Sequence, residues 1–152
     1  MSKAKFVYVI YIRTTPEKIW QAITEGPITR QYWYYENVTD WKPGSKWEHT
    51  KADESREVRL AGKVVEVNPP KKLVITWANP EDFGKPEKHS RVTFVLEPVE
   101  KMVRLTVTHD ELEAGSEMER GIMIGWPLVL SSMKSFLETG TPLNIWAAKE
   151  GK

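Results

Sequence analysis

The chain has no cysteine among its 152 residues. That excludes a disulfide framework, thiolate metal ligation and a cysteine nucleophile together, and it suits a reducing, cytoplasmic setting. Charge of one sign is also missing. There are 22 basic and 21 acidic residues, a net charge of +1, and the signs are interleaved, as in the run from Lys51 to Glu57. Nucleic acids and anionic membranes are held by a one-signed field, so neither nucleic-acid binding nor membrane insertion is expected. No apolar run approaches the ~18–20 residues of a membrane helix, and the N-terminus shows no secretory signal. The three histidines, His49, His89 and His109, are not at zinc-motif spacing. No Gly-rich loop with a following lysine offers a phosphate cradle, and Ser131-Ser132 sit in a helical stretch rather than on a strand-to-helix elbow. No metal and no cofactor are expected.

What the chain does have is aromatic surface: seven Trp, five Tyr and four Phe. Each buries about 150–250 Å² when inside, which is more than the core of one domain of this length needs. Some of these rings should line a cavity or cover a surface patch. The whole chain reads as one domain, 1–152, with 1–5 and 141–152 as terminal extensions.

The patterning gives the order of elements. Residues 6–13 (FVYVIYIR) read as a strand. Thr15 and Pro16 suit the N-cap and first position of a helix carrying Ile19, Trp20 and Ile23, broken at Gly26-Pro27. A second short helix covers about 27–34. Beyond Val38 the period becomes two, with strands expected over 46–51, 57–67, 73–77, 89–96 and 102–110. Pro-Gly and Pro-Pro turns separate some of them. Several strands in series without intervening helices predict an antiparallel meander. From Ser116 to Glu138 the period is helical, with Ile122, Trp126, Val129, Leu130, Met133 and Leu137 on one stripe. Ser116 and Glu119 have capping-box spacing, Gly140 ends the helix, and Pro127 predicts a kink or break near Gly125. The sheet's apolar face and this stripe are the two surfaces that can bury each other. A twisted sheet cannot touch a straight helix along its whole length, so a gap between them is the natural place for a pocket.

Four segments, VIYIRTTPEKIW (9–20), GKVVEVNPPKKLVITW (62–77), VRLTVTH (103–109) and GWPLVLSSMKSFLETG (125–140), resemble the START-like, birch-pollen-allergen-like (SRPBCC) superfamily. Within it they resemble the branch of the activator of the 90-kDa heat-shock protein ATPase. The resemblance runs from about Phe6 to Gly140. It implies an α+β helix-grip fold: about seven antiparallel strands curved around the long C-terminal helix, with a cavity between. One departure is local: where many members have a Gly-Gly pair after the second strand, this chain has Pro43-Gly44-Ser45. Because the superfamily includes lipid carriers, hormone receptors and cyclases, the fold leaves function open.

Candidate ligand-binding residues are those expected around the gap: Trp33, Trp47, Leu60, Val64, Ile75, Trp77, Phe94, Leu105, His109, Trp126, Leu130 and Met133. His109 alternates with Val103, Leu105 and Val107 and is expected to face inward, as a satisfied core histidine or as a group near a ligand. One buried and two surface histidines are expected. Glu66 could face inward on the phase of Gly62 and Val64. The main reading is a binding module for a small apolar or amphipathic ligand, monomeric or weakly homodimeric. Two alternatives stand beside it. One is a cavity enzyme of cyclase or dehydratase type using His109 and an inward carboxylate. The other is a protein-interaction or chaperone-associated domain, its patch built from Tyr11, the Tyr32–Tyr35 cluster and Trp146. Trp126 opens the helical stripe, so truncating it to alanine should cost about 3–5 kcal/mol. A melting temperature unchanged by Trp126→Ala would contradict its placement at the helix–sheet contact.

Overall fold

The computed structural model describes residues 2–145. The chain begins with strand β1 (Lys3–Ile12), which takes in residues 3–5 as well as the apolar run. Helices α1 (Pro16–Thr24) and α2 (Gly26–Tyr32) follow, then β2 (Tyr35–Val38), β3 (Lys46–Lys51), β4 (Val58–Asn68), β5 (Lys72–Trp77), β6 (Ser90–Val99), β7 (Met102–Glu113) and the long helix α3 (Glu117–Thr139). The seven strands form one antiparallel sheet in the order β1-β7-β6-β5-β4-β3-β2. Strands joined by short turns lie side by side, as their connections require. The α1–α2 pair carries the chain from one edge of the sheet to the other, and the meander then returns to pair β7 with β1. This is the helix-grip architecture.

The local signals work as their chemistry predicts. Thr15 Oγ1 accepts from Lys18 N at 3.3 Å, and Pro16 occupies the first turn of α1. Ser116 Oγ accepts from Glu119 N at 3.1 Å, while Glu119 Oε1 accepts from Gly115 N at 2.8 Å, a capping box displaced by one residue. Gly140 closes α3 with φ +85°, a left-handed conformation that glycine adopts without a Cβ penalty. The break expected at Pro127 does not occur, and α3 is continuous through it. The carbonyl left without its donor belongs to Met123, on the exposed side of the helix, where water can satisfy it.

Three further expectations are corrected by the packing. Glu66 is exposed and pairs with Lys72 at 3.5 Å, because a bulge between Val64 and Glu66 shifts the register of β4 on β5. Two histidines are buried, His49 and His109, rather than one. The Tyr32–Tyr35 cluster is not a surface patch as a whole: Tyr32 is fully buried, with its hydroxyl donating to Ala22 O at 2.7 Å, and Trp33 is buried beside it, while Tyr34 and Tyr35 are half-buried. Tyr11 is exposed on β1, and Trp146 lies outside the described residues.

Helix α3 approaches the sheet most closely at β1 and β7, and it also packs on α1 and α2. Toward β3, β4 and β5 the backbones are farther apart, and large side chains fill the space: Trp33, Trp47, Trp77, Phe94 and Trp126. One of these rings constrains the sheet itself. Trp47 stands opposite Gly62 in the β3–β4 register, and its indole crosses Gly62 to donate to Thr76 O at 2.7 Å. A Cβ on residue 62 would lie 2.0 Å from Thr76 O and 2.6 Å from Trp47 Nε1. The position therefore requires the absence of a side chain rather than a special backbone angle. Gly62→Ala should destabilise the protein by about 2–3 kcal/mol, through displacement of the β5 carbonyl or loss of the indole hydrogen bond. Urea unfolding checks this, and a midpoint within error of the parent would overturn it.

Candidate functional site

The aromatic filling is incomplete. A cavity of about 340 Å³ remains between α3 and the β2–β5 half of the sheet. One wall comes from α3, through Met118, Ile122, Trp126 and Val129, which recur at helical spacing, with Gly121 and Gly125 beside them. The opposite wall is Trp33 at the end of α2, Tyr35 of β2, His49 of β3, Leu60 of β4 and Trp77 of β5. Arg59, Asn79, Glu117, Leu128 and Ile145 complete the lining. A Cβ built on Gly121 or Gly125 would meet nothing within 4 Å, so the two glycines leave open space rather than permit a close approach.

The rings of this wall hold one another. The His49 and Tyr35 rings stack with centroids 4.5 Å apart at 10°. Trp33 meets Trp126 edge-on at 5.7 Å, and Trp77 lies 5.5 Å from Trp126 and 5.5 Å from Trp47. Such edge and tilted arrangements match the ring quadrupoles and make a stiff surface.

Beneath the wall, a hydrogen-bonded chain ties β5, β6, β7 and α3 together. An indole N–H can only donate, so Trp126 Nε1–H donates to His109 Nδ1 at 3.0 Å. The proton of the neutral ring is thereby placed on Nε2, which donates to Ser90 Oγ at 2.8 Å. The Ser90 hydroxyl donates onward to Trp77 O at 3.2 Å. Both nitrogens of His109 are thus engaged within the protein, and burial pushes its pKa down to about 3. Of the two readings left open by the sequence, the satisfied core histidine is the one observed.

His49 is held differently. Asn37 Nδ2 donates to Ile23 O at 3.1 Å, which turns Asn37 Oδ1 toward His49 Nδ1 at 2.8 Å. An amide oxygen only accepts, so Nδ1 carries the proton and Nε2 has a free lone pair. Nε2 has no hydrogen-bond partner among the described residues. Burial, reinforced by the nearby positive charge of Arg59, lowers the His49 pKa to about 3. The indole Nε1–H of Trp77 is buried and has no hydrogen-bond partner among the described residues.

Of the residues proposed from sequence, Trp33, Leu60, Trp77 and Trp126 line the cavity. Trp47, Val64, Ile75, Phe94, Leu105, His109, Leu130 and Met133 are buried in the core and do not form its wall. Alternation identifies the inner face of a strand, whereas the position along that strand at which the helix diverges depends on tertiary packing. Tyr35, His49, Arg59, Ile122 and Val129 were missed. His49 had a signal, since it follows Trp47 by two residues and therefore shares its inner face. Among the described residues no group of three or more His, Asp or Glu side chains could hold a metal ion. No helix among the described residues is long and apolar enough to cross a membrane.

A family model described as Activator of Hsp90 ATPase homolog 1-like protein matches residues 13–138. The fold is similar to that of the Aha1 dimer from Colwellia psychrerythraea solved in solution, at 24% identity and a TM-score of 0.74, covering 90% of this chain and 98% of that one. It is similar to protein MLL2253 from Mesorhizobium loti, at 24% identity and a TM-score of 0.73, covering 89% of this chain and 97% of that one. It also resembles CalU16 from Micromonospora echinospora, at 19% identity and a TM-score of 0.70, covering 90% of this chain and 77% of that one. No curated protein matches the chain. At these identities the likeness to solved structures carries the fold alone.

The two buried histidines set a pH dependence. Each has a folded pKa near 3 against an ordinary value of 6.5. Between those values the unfolded chain binds protons that the folded chain refuses, so stability is greatest above pH 6.5 and falls as the pH is lowered. Each histidine should contribute a slope of up to about 1.4 kcal/mol per pH unit. Unfolding free energies measured from pH 7.5 down to 5, above the range where carboxylates titrate, should fall steadily. A flat profile would contradict the burial of both rings.

Proposed function

This chain belongs to the Activator of Hsp90 ATPase homolog 1-like family, and we propose that it binds a small, largely apolar molecule in the cavity between α3 and the β2–β5 half of the sheet. The observation that carries this reading is the cavity itself. A domain that spends five large rings on filling the helix–sheet gap still keeps about 340 Å³ open. That volume, with mostly apolar walls and a few polar groups, is within the range of small-molecule sites. The cavity-enzyme reading loses its main residue, because both His109 nitrogens are engaged and the ring holds no proton-accepting capacity near neutral pH. The interaction reading has one supporting observation. Met123 and Ile124 are exposed on α3 beside the cavity, and a relative of the same fold was solved as a dimer. A weak homodimer through this face is compatible with a ligand site behind it.

Native mass spectrometry of the purified protein should show a discrete added mass that is lost on denaturation, and solvent extraction would identify it. Gly125→Leu places a side chain in the open space of the cavity and removes a glycine from a helix interior. This variant should keep or raise the melting temperature and lose the added mass. A bare mass in the parent protein, together with unchanged tryptophan fluorescence across fatty acids, sterols and aromatic alcohols, would overturn the reading.

A further inference from the structure

We propose that the cavity takes an amphiphile with a single carboxylate, its apolar body lying among the aromatic rings and its charged group held at the mouth by Arg59. The inference rests on the ligand-binding reading above and names the class of ligand.

The argument starts from an irregularity in β4. Successive side chains of a strand point to opposite faces, so two neighbours in sequence do not ordinarily line the same cavity. Arg59 and Leu60 both line this one. The register explains how. Leu60 pairs with His49, but Val58 pairs with Thr50, the next residue of β3. Arg59 is therefore an extra residue, left without a partner in the ladder. A bulge of this kind re-aims the side chain it carries. In a regular strand Arg59 would alternate away from Leu60 and leave the cavity. Here the fold departs from the ladder at the one place that brings a guanidinium to the cavity wall.

The charges around the cavity then decide the sign of the ligand. Two charged side chains line it, Arg59 and Glu117. The positive charge of Arg59 acts on the buried ring of His49, and no carboxylate does so. The wall thus feels a positive field, which favours an anion over a cation. The depth at which the anion stops follows from the same residues. His49 is buried and neutral, and the lining beyond it is apolar apart from its own ring, so a carboxylate drawn inside would lose water without meeting a counter-charge. The Arg59 side chain is 56% exposed, so a carboxylate on it keeps part of its hydration while the body it carries is buried.

The guanidinium has capacity left for this. Its hydrogen-bond partner among the described residues is Glu57, whose Oε1 accepts from Nη1 at 3.0 Å. Nε and Nη2 remain, the side-on pair whose spacing fits the two oxygens of one carboxylate. The Glu57 pair is exposed on both sides and screened by water, so it holds Arg59 only weakly against a second anion.

Isothermal titration calorimetry at pH 7.5 with octanoate, 1-octanol and octylammonium tests this, since the three share one chain and differ in the charge of the head. The parent protein should bind octanoate more tightly than octylammonium. The ratio of octanoate to 1-octanol affinity should fall about fivefold or more in Arg59→Gln, and less in Arg59→Lys, which keeps the charge and loses the fork. In the parent protein, raising the salt to about 0.5 M should weaken octanoate binding relative to 1-octanol, because the contact lies at the mouth. An unchanged ratio in Arg59→Gln, or no salt effect on it, would overturn the carboxylate inference and leave the cavity reading standing. Tighter binding of octylammonium would also overturn it, and would point to Glu117 as the anchor. Failure of all three probes to bind would count against the ligand-binding reading itself, and so against both.

Discussion

A straight helix laid across a twisted sheet can be in close contact with only part of it. In this chain α3 meets β1 and β7 closely, and the space that opens toward β3–β5 has to be filled from side chains. That geometric constraint explains the aromatic excess better than any demand for hydrophobicity as such. Leucine or valine would not reach across, whereas an indole does. The same constraint explains why Gly62 must be bare, since the ring of Trp47 crosses the strand at that point to find its acceptor. It also explains why α3 carries Gly121 and Gly125 on its cavity side, where nothing opposite is close enough to need a side chain. Packing and cavity are two outcomes of one divergence.

Filling a wedge with indoles and imidazoles brings polar N–H groups into the interior, and each one left unpaired costs about 1–3 kcal/mol. The chain answers this by building acceptors into the sheet. The path from Trp126 through His109 and Ser90 to the carbonyl of Trp77 uses α3, β7, β6 and β5 in turn, so it fixes the helix against the strands as well as satisfying each group. Its ionisable member is neutral and is held neutral by burial. The network is therefore structural, and the acid sensitivity it confers is a consequence of removing imidazole from water.

Much of this was legible in the residues. The caps of α1 and α3, the glycine that ends α3, the inward phase of β7 and the meander of strands all follow from local rules with local causes. What local rules missed are features set by how elements meet. The bulge that sends Glu66 outward depends on how β4 seats against β5. The tolerance of Pro127 depends on which side of α3 faces water. His49 was overlooked as a cavity residue although its spacing from Trp47 placed it on the inner face. The burial of a second histidine becomes plausible only once Asn37, on the neighbouring strand, is known to face it. The candidate site divided in the same way: the inner face was readable, and the depth at which that face opens was not.

The choice of Asn37 as the partner of His49 bears on what the cavity can do. A carboxylate in that place would stabilise the imidazolium and raise the ring's basicity, as in general-base catalysis. A neutral amide offers orientation without charge, and Arg59 nearby adds a further bias against protonation. His49 is thus a poor base in a fixed orientation, facing the cavity with a lone pair that can accept a hydrogen bond but gains little by accepting a proton. His109, the other histidine in reach of the Trp77 ring, is fully engaged. Two imidazoles close to a pocket would ordinarily suggest proton transfer. Here the partners of each ring hold it neutral and oriented, inside a wall of aromatic rings that brace one another.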